Sequence, residues 1–165
     1  RPVGGVVIFA RTSKALVRMN KMLQEKSITK TYVAIVTKRP EELSGRLVHF
    51  IYKDETKNIV KAYASHKSGT KEAILTYNVI GELEGKVLLK VHPLTGRPHQ
   101  IRAQLFKINS PILGDLKYGA DQPLTDQSIA LHCLEMSFIH PVKNEQVVIR
   151  ANVSRKYPWN IFSIE

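Results

Sequence analysis

The stretch Leu94 to Arg102 reads Leu-Thr-Gly-Arg-Pro-His-Gln-Ile-Arg and crowds two arginines, a histidine and a glutamine around one helix start. Pro98 suits the first position of a helix, where its missing N–H would have no partner in any case. The first turn of a helix carries unpaired backbone N–H groups and the positive end of the helix dipole. With Arg97, His99, Gln100 and Arg102 gathered round it, such a start suits an anionic group such as a phosphate. On a helix running from Pro98 to Ile108, Ile101, Leu105 and Ile108 form the apolar stripe, with Gln100, Ala103, Gln104 and Lys107 on the opposite side. Arg102 then sits about 100° from Ile101, at the edge of the buried stripe. An arginine there needs an anionic partner or a solvent-filled cleft, because burying it unpaired is costly. A guanidinium snorkelling from the helix flank, or paired with a carboxylate for stability alone, satisfies the same geometry.

Other reactive side chains carry less. Tyr32 lies in Lys-Thr-Tyr-Val-Ala-Ile-Val-Thr, residues 30–37, where its apolar neighbours make a core tyrosine the simplest reading. His132 beside Cys133 suggests thiol chemistry, but adjacent strand residues point to opposite faces and cannot readily act on one substrate. A buried Cys133 is expected instead. Asp115 follows Gly114 in a turn, where an aspartate side chain commonly bonds nearby backbone, which gives it a structural role. The charged stretch Lys53–Lys61 reads as a solvated loop.

The elements that must position these residues follow from periodicity and breakers. Val6–Phe9 has strand composition, entered through Gly4 and Gly5. Thr12 or Ser13 caps a helix to about Lys26, with Leu16, Met19, Met22 and Leu23 on one face. Residues 30–37 form a strand with apolar residues on both faces, which predicts a central place in a sheet. Residues 46–52 and 59–64 form two more strands, 73–80 and 86–91 a hairpin whose loop ends at Gly85, and 131–139 and 147–153 the last two. The Pro98–Ile108 helix is opened by Thr95 or Gly96 and closed near Asn109. The fold class is α+β: a mixed, largely antiparallel sheet with two main helices and a basic cleft.

Composition narrows the partners. Among 165 residues, Lys and Arg total 25 against 14 Asp and Glu, a net charge of +11. That imbalance favours a polyanion, because cationic side chains at phosphates release condensed counterions. No basic amphipathic helix is long enough to lie on a membrane, and no apolar run approaches the roughly 18 residues that would span one. The single cysteine excludes an intramolecular disulfide and fits a reducing compartment, and no Cys/His cluster has zinc-site spacing.

Several blocks resemble, in order, those of the RNA pseudouridine synthases of the large-subunit ribosomal and transfer RNA type. Residues 94–102 resemble the family's Thr-Gly-Arg-x-His-Gln-Ile-Arg signature, and Lys30-Thr31-Tyr32-Val33-Ala34 its Lys-x-Tyr-x-Ala strand. Pro111-Ile112-Leu113-Gly114-Asp115 with Tyr118-Gly119 is similar to its Pro-Ile-x-Gly-Asp-x-x-Tyr-Gly turn. Leu131-His132 through His140-Pro141 is similar to its late strand. Gly5 onward, with Phe9-Ala10-Arg11-Thr12, resembles the segment just after the family's His-Arg-Leu-Asp motif, and Gly4 stands where many members have serine. The resemblance covers nearly the whole chain.

It implies a catalytic domain over 1–165 that isomerises uridines of ribosomal or transfer RNA to pseudouridine without cofactor or metal. That reaction breaks the N1–C1′ bond, turns the base and rejoins it through C5. It needs a carboxylate nucleophile, a stabilising cation and a base for the C5 proton. The nucleophile implied is the motif's aspartate, immediately before Arg1 and outside this sequence. The chain as written is therefore expected to be inactive, and an RNA-binding module without catalysis is the alternative. A domain binding duplex DNA lacks a helix-turn-helix pattern. The resemblance implies that Arg102 ion-pairs with that aspartate, and that Tyr32 packs against a uracil flipped from its stack and takes part in the proton transfer. RNA contacts are expected from Arg1, Lys30, Arg97 and Lys117 by charge, and from Gln100; His99 reads first as structural, helping to satisfy the helix start, with RNA contact as its other role. A cytoplasmic monomer is expected.

Overall fold

A computed structural model describes residues 2–164. Among the described residues the strands form one sheet of eight. They are β1 (Gly4–Gly5), β2 (Thr29–Val36), β3 (Ser44–Asp54), β4 (Ile59–Tyr63), β5 (Lys71–Leu83), β6 (Lys86–Pro93), β7 (Leu131–Ile139) and β8 (Gln146–Arg150). Their order is β1-β7-β2-β6-β5-β3-β4, with β8 also on β7. Only β1 and β7 run parallel; every other pair is antiparallel. Two helices, α1 (Ser13–Gln24) and α2 (Gln100–Lys107), join them, with 3-10 turns at Leu116–Tyr118 and Trp159–Ile161. The expected α+β architecture is the observed one.

β2 lies between β7 and β6, and Val33 to Val36 are all buried, as apolar residues on both faces require. The β5–β6 hairpin closes through Glu84 and Gly85, both at positive φ, which matches the twist of the flanking strands. The β3–β4 connection is held by Asp54, whose carboxylate accepts from the backbone and hydroxyl of Thr56 and from the Lys57 N–H. The main core joins β2, β5, β6 and β7 to Ile101 and Leu105 of α2, with Trp159 also in it. A smaller cluster sets Ala103 and Tyr118 against β3, β4 and β5.

Three expectations are corrected. Val6–Phe9 is not a strand. Pairing with β7 stops once Val6 has donated its N–H to the Cys133 carbonyl at 2.9 Å, because from Glu135 onward that edge of β7 is occupied by β8. The second helix begins at Gln100, not Pro98, because His99 takes a left-handed backbone (φ 48°) that no helix continues through. Gln100, Ala103 and Gln104, expected on a polar side, are buried. Gln104 is sealed completely, its amide donating to the carbonyls of Leu47 and Ala73. Pairing of the NH2 group offsets part of the burial cost, while Oε1 is left without a partner among the described residues. In α1, Thr12 caps as expected, accepting from Ala15 N–H at 3.2 Å, but only Met22 of its apolar face is buried.

Candidate active site

β2, β7 and the start of α2 meet at a cavity of about 270 Å3 lined by Lys30, Tyr32, Arg97, His99 and Arg102. Pro2 and Val3 close its remaining wall. The sequence-predicted residues therefore converge, with two exceptions. Lys117 sits on the 3-10 turn, exposed and away from the cavity wall. Arg1 lies outside the described residues.

A register shift places Tyr32 here. Thr31 pairs with Glu135 but Tyr32 with Cys133, so Leu134 is an extra residue on β7 and the strand bulges. Bulges re-aim side chains and recur beside sites. Tyr32 and Cys133 are cross-strand partners, so they share a face of the sheet. Burial, and then the neighbouring Cys133, push the Tyr32 phenol far above its ordinary pKa, so it keeps its proton. Burial likewise raises the Cys133 thiol. His132 belongs to the other face, its Nε2 donating to the Ala151 carbonyl at 2.8 Å and its ring packing edge-on to Trp159. The split between His132 and Cys133 is as the strand alternation predicts.

Arg102 is the centre of the arrangement. Its Nε donates to Asp115 Oδ2 and its Nη2 to Asp115 Oδ1, both at 2.7 Å. The arginine side chain is 9% exposed and the carboxylate 1%. Arg102 thus has both the carboxylate and the cavity that its place on the helix demanded. The two-point fork fixes the plane of the guanidinium and leaves its other N–H groups without a partner among the described residues. Beneath the guanidinium lies the Tyr118 ring, 4.7 Å from its centroid. The Tyr118 hydroxyl accepts from the Val60 N–H at 2.8 Å and meets His99 Nδ1 at 2.9 Å. Asp115 is structural, as expected, but through Arg102 and not through its own backbone. Sequence reading missed Tyr118 as a member of this network. The clue was available: a tyrosine three residues after an aspartate in a turn that must fold against the helix.

The loop before α2 is rigid for a different reason. Gln100 Oε1 accepts from the Thr95 hydroxyl at 2.7 Å and from the Arg97 N–H at 3.0 Å, while its Nε2 donates to the Ile74 carbonyl. Thr95 Oγ1 accepts from the Ile74 N–H in turn. Thr95 and Gln100 thereby shape the loop that carries Arg97, whose Nε donates to the Glu72 carbonyl. Lys30 approaches Gly96, and a Cβ there would lie 3.6 Å from the Lys30 Nζ.

Comparison with known proteins identifies the family and the fold. Residues 1–107 match the family described as RNA pseudouridylate synthase. The tRNA pseudouridine synthase C of Vibrio parahaemolyticus is 30% identical over 171 residues, covering 93% of this chain and 69% of the relative. The ribosomal large subunit pseudouridine synthase C of Buchnera aphidicola subsp. Baizongia pistaciae is 30% identical over 169 residues, and the match covers 92% of this chain but 50% of that one. Among solved structures, human RNA pseudouridylate synthase domain containing 4 superposes with a TM-score of 0.70 at 20% identity, over 87% of this chain and 65% of that one. The related human domain-containing protein 1 gives 0.68. At such identities these two show the fold. From the match over residues 1–107 and the relatives at 30% identity, the chain belongs to the RNA pseudouridylate synthase family.

Proposed function

We propose that this chain builds the cavity in which a uridine of ribosomal or transfer RNA is isomerised to pseudouridine. The observation that carries the reading is the Arg102 fork, fixed by Asp115 and opening on a cavity shared with Tyr32. In this reading Tyr32 packs against the flipped uracil. Its raised pKa makes it a poor base at neutral pH, so it serves as a wall and a proton-bearing neighbour. Lys30 and Arg97 meet phosphates at the rim, and Gln100 acts by holding the loop rather than by touching RNA.

The resemblance puts the nucleophile immediately before Arg1. Pro2 and Val3 line the cavity, and the Pro2 carbonyl accepts from the Ile129 N–H at 3.2 Å. A residue two positions ahead of Pro2 lies at most about 7 Å of chain away, which keeps it within reach of the cavity. There Arg102 would present N–H groups from a guanidinium already neutralised by Asp115. It orients the nucleophile as a donor more than it lowers the pKa as a free cation.

The alternative is a module that binds RNA in this cavity through Lys30 and Arg97, without chemistry. The test compares this chain with one carrying His-Arg-Leu-Asp before Arg1, each incubated with RNA bearing tritium at uridine C5. Release by the extended protein alone supports the isomerase reading. Absence of release from both, when both are folded and bind RNA, supports the binding module.

A further inference from the structure

We infer that His99 is a fixed, neutral hydrogen-bond donor at the cavity, its proton held on Nε2 by Tyr118, and that it donates to a carbonyl oxygen of the bound pyrimidine. The second half rests on the reading of the cavity as a uridine site; the first does not.

Tyr118 is 2% exposed, so its hydroxyl must find partners inside the protein. One is the Val60 N–H, which can only donate. The phenol proton must therefore go elsewhere, and His99 Nδ1 at 2.9 Å is the acceptor at hand. Were Nδ1 to carry a proton, the oxygen would face two donors and the phenol's own proton would be stranded in a buried place. Nδ1 accepts, and the neutral ring then bears its proton on Nε2. Nε2 has no partner among the described residues, and His99 lines the cavity.

The ring is also held in place. It meets Tyr118 edge-on at 5.8 Å between centroids and 89° between planes, and Tyr118 is itself pinned beneath Arg102. The His99 backbone occupies the left-handed region at φ 48°, uncommon outside glycine. Such strain persists where the surroundings over-determine it, and it clusters at ligand-binding positions.

The charged neighbours of the ring are Arg102, Lys117 and Lys53, opposed only by Asp115. Burial first, and then these cations, hold the imidazole below its ordinary pKa, so it is uncharged at neutral pH. A neutral donor is a poor choice for a phosphate when Lys30 and Arg97 line the same cavity. It suits a carbonyl oxygen, two of which uracil presents.

Nitrogen-15 NMR of the 165-residue chain labelled at histidine reads the tautomer directly from ring couplings. The expected result is Nε2–H for His99, retained as pH falls from 8 to about the ordinary histidine pKa of 6.5. In Tyr118→Phe the ring should relax from Nε2–H alone toward the tautomer mixture of a free histidine, in which Nε2–H leads but Nδ1–H is populated. An Nδ1–H ring in the unaltered chain overturns the proposal, whatever that variant does. Titration with uridine 5′-monophosphate and with ribose 5-phosphate then tests the contact. His99 Nε2–H should shift with the nucleotide and not with the sugar phosphate, and His99→Phe should weaken nucleotide binding by about three- to tenfold. An equal shift with ribose 5-phosphate assigns the donor to phosphate and overturns the carbonyl contact. Movement of Tyr32 ring signals without any change at His99 overturns it too. If neither residue responds to the nucleotide, the uridine-site reading itself fails while the tautomer result stands.

Discussion

Arg102 and Asp115 are each almost wholly withdrawn from water, and each is tolerable only because of the other. Removing one partner of a buried ion pair leaves an uncompensated charge and costs about 3–5 kcal/mol. Asp115→Asn keeps the shape and one acceptor but loses the charge and turns a donor toward one of the two Arg102 N–H groups it now binds. It should lower the urea unfolding midpoint by an amount equivalent to that figure, and a midpoint within error of the unaltered chain would remove Asp115 from its assigned place. Arg102→Lys tests the fork and not the charge. An ammonium is a point charge that cannot hold both carboxylate oxygens and still present fixed donors to the cavity. In the chain extended by His-Arg-Leu-Asp, kcat should drop by at least about 100-fold, since small misplacements at a reacting centre have effects of that size. Near-normal turnover in Arg102→Lys would contradict the role given to the guanidinium.

At the scale of elements, β1 is short but demanding. Gly5 sits at φ 105°, and a Cβ built there would collide with the Cys133 backbone. Only glycine lets the chain run close enough to β7 to bring Pro2 and Val3 to the cavity. Gly5→Ala should therefore destabilise by at least about 2 kcal/mol, read as a fall of several degrees in Tm. Helix α2 imposes a pH dependence. His49 accepts from Gln104 at Nδ1 over 3.2 Å, and burial, then Lys107, hold its pKa below the ordinary value. His99 is depressed likewise. A histidine whose folded pKa lies below its unfolded one, about 6.5, favours folding fully above that pH. That contribution is lost as pH falls through the folded value. Stability measured by urea unfolding should thus decline below about pH 6.5, and His49→Gln should flatten the decline. An unchanged slope in His49→Gln would show that the ring is not held neutral.

For the molecule as a whole, the excess of 25 Lys and Arg over 14 Asp and Glu is the dominant long-range feature. If it serves RNA, affinity must depend on salt through the counterions released. Engagement of about three phosphates of a single strand gives roughly a 20-fold loss between about 50 and 200 mM salt. Filter binding over that range measures it, and a flat response would detach the charge from RNA binding.

The linear chain carries the element types and the members of the site because both rest on local rules. Alternating or two-faced apolar residues mark β2, β5, β6 and β7, and the Glu84-Gly85 turn and the Thr12 cap act within a few residues of themselves. Arg97, His99 and Arg102 stand out by residue type and spacing around one helix start, whereas Tyr32, a core tyrosine by its neighbours, and Lys30 are marked by the family resemblance. The partners of these residues were decided elsewhere. Asp115 is 13 residues from the arginine it binds, Val60 is 58 from the hydroxyl it donates to, and His99 is 19 from the same hydroxyl. No periodicity encodes such pairings. They exist because the turn from Pro111 to Gly119 folds back on α2, and because burial leaves each polar group no water to accept instead. Val6–Phe9 failed as a strand for the same reason. Its composition was suitable, but β8 already held the edge of β7 that it would have used.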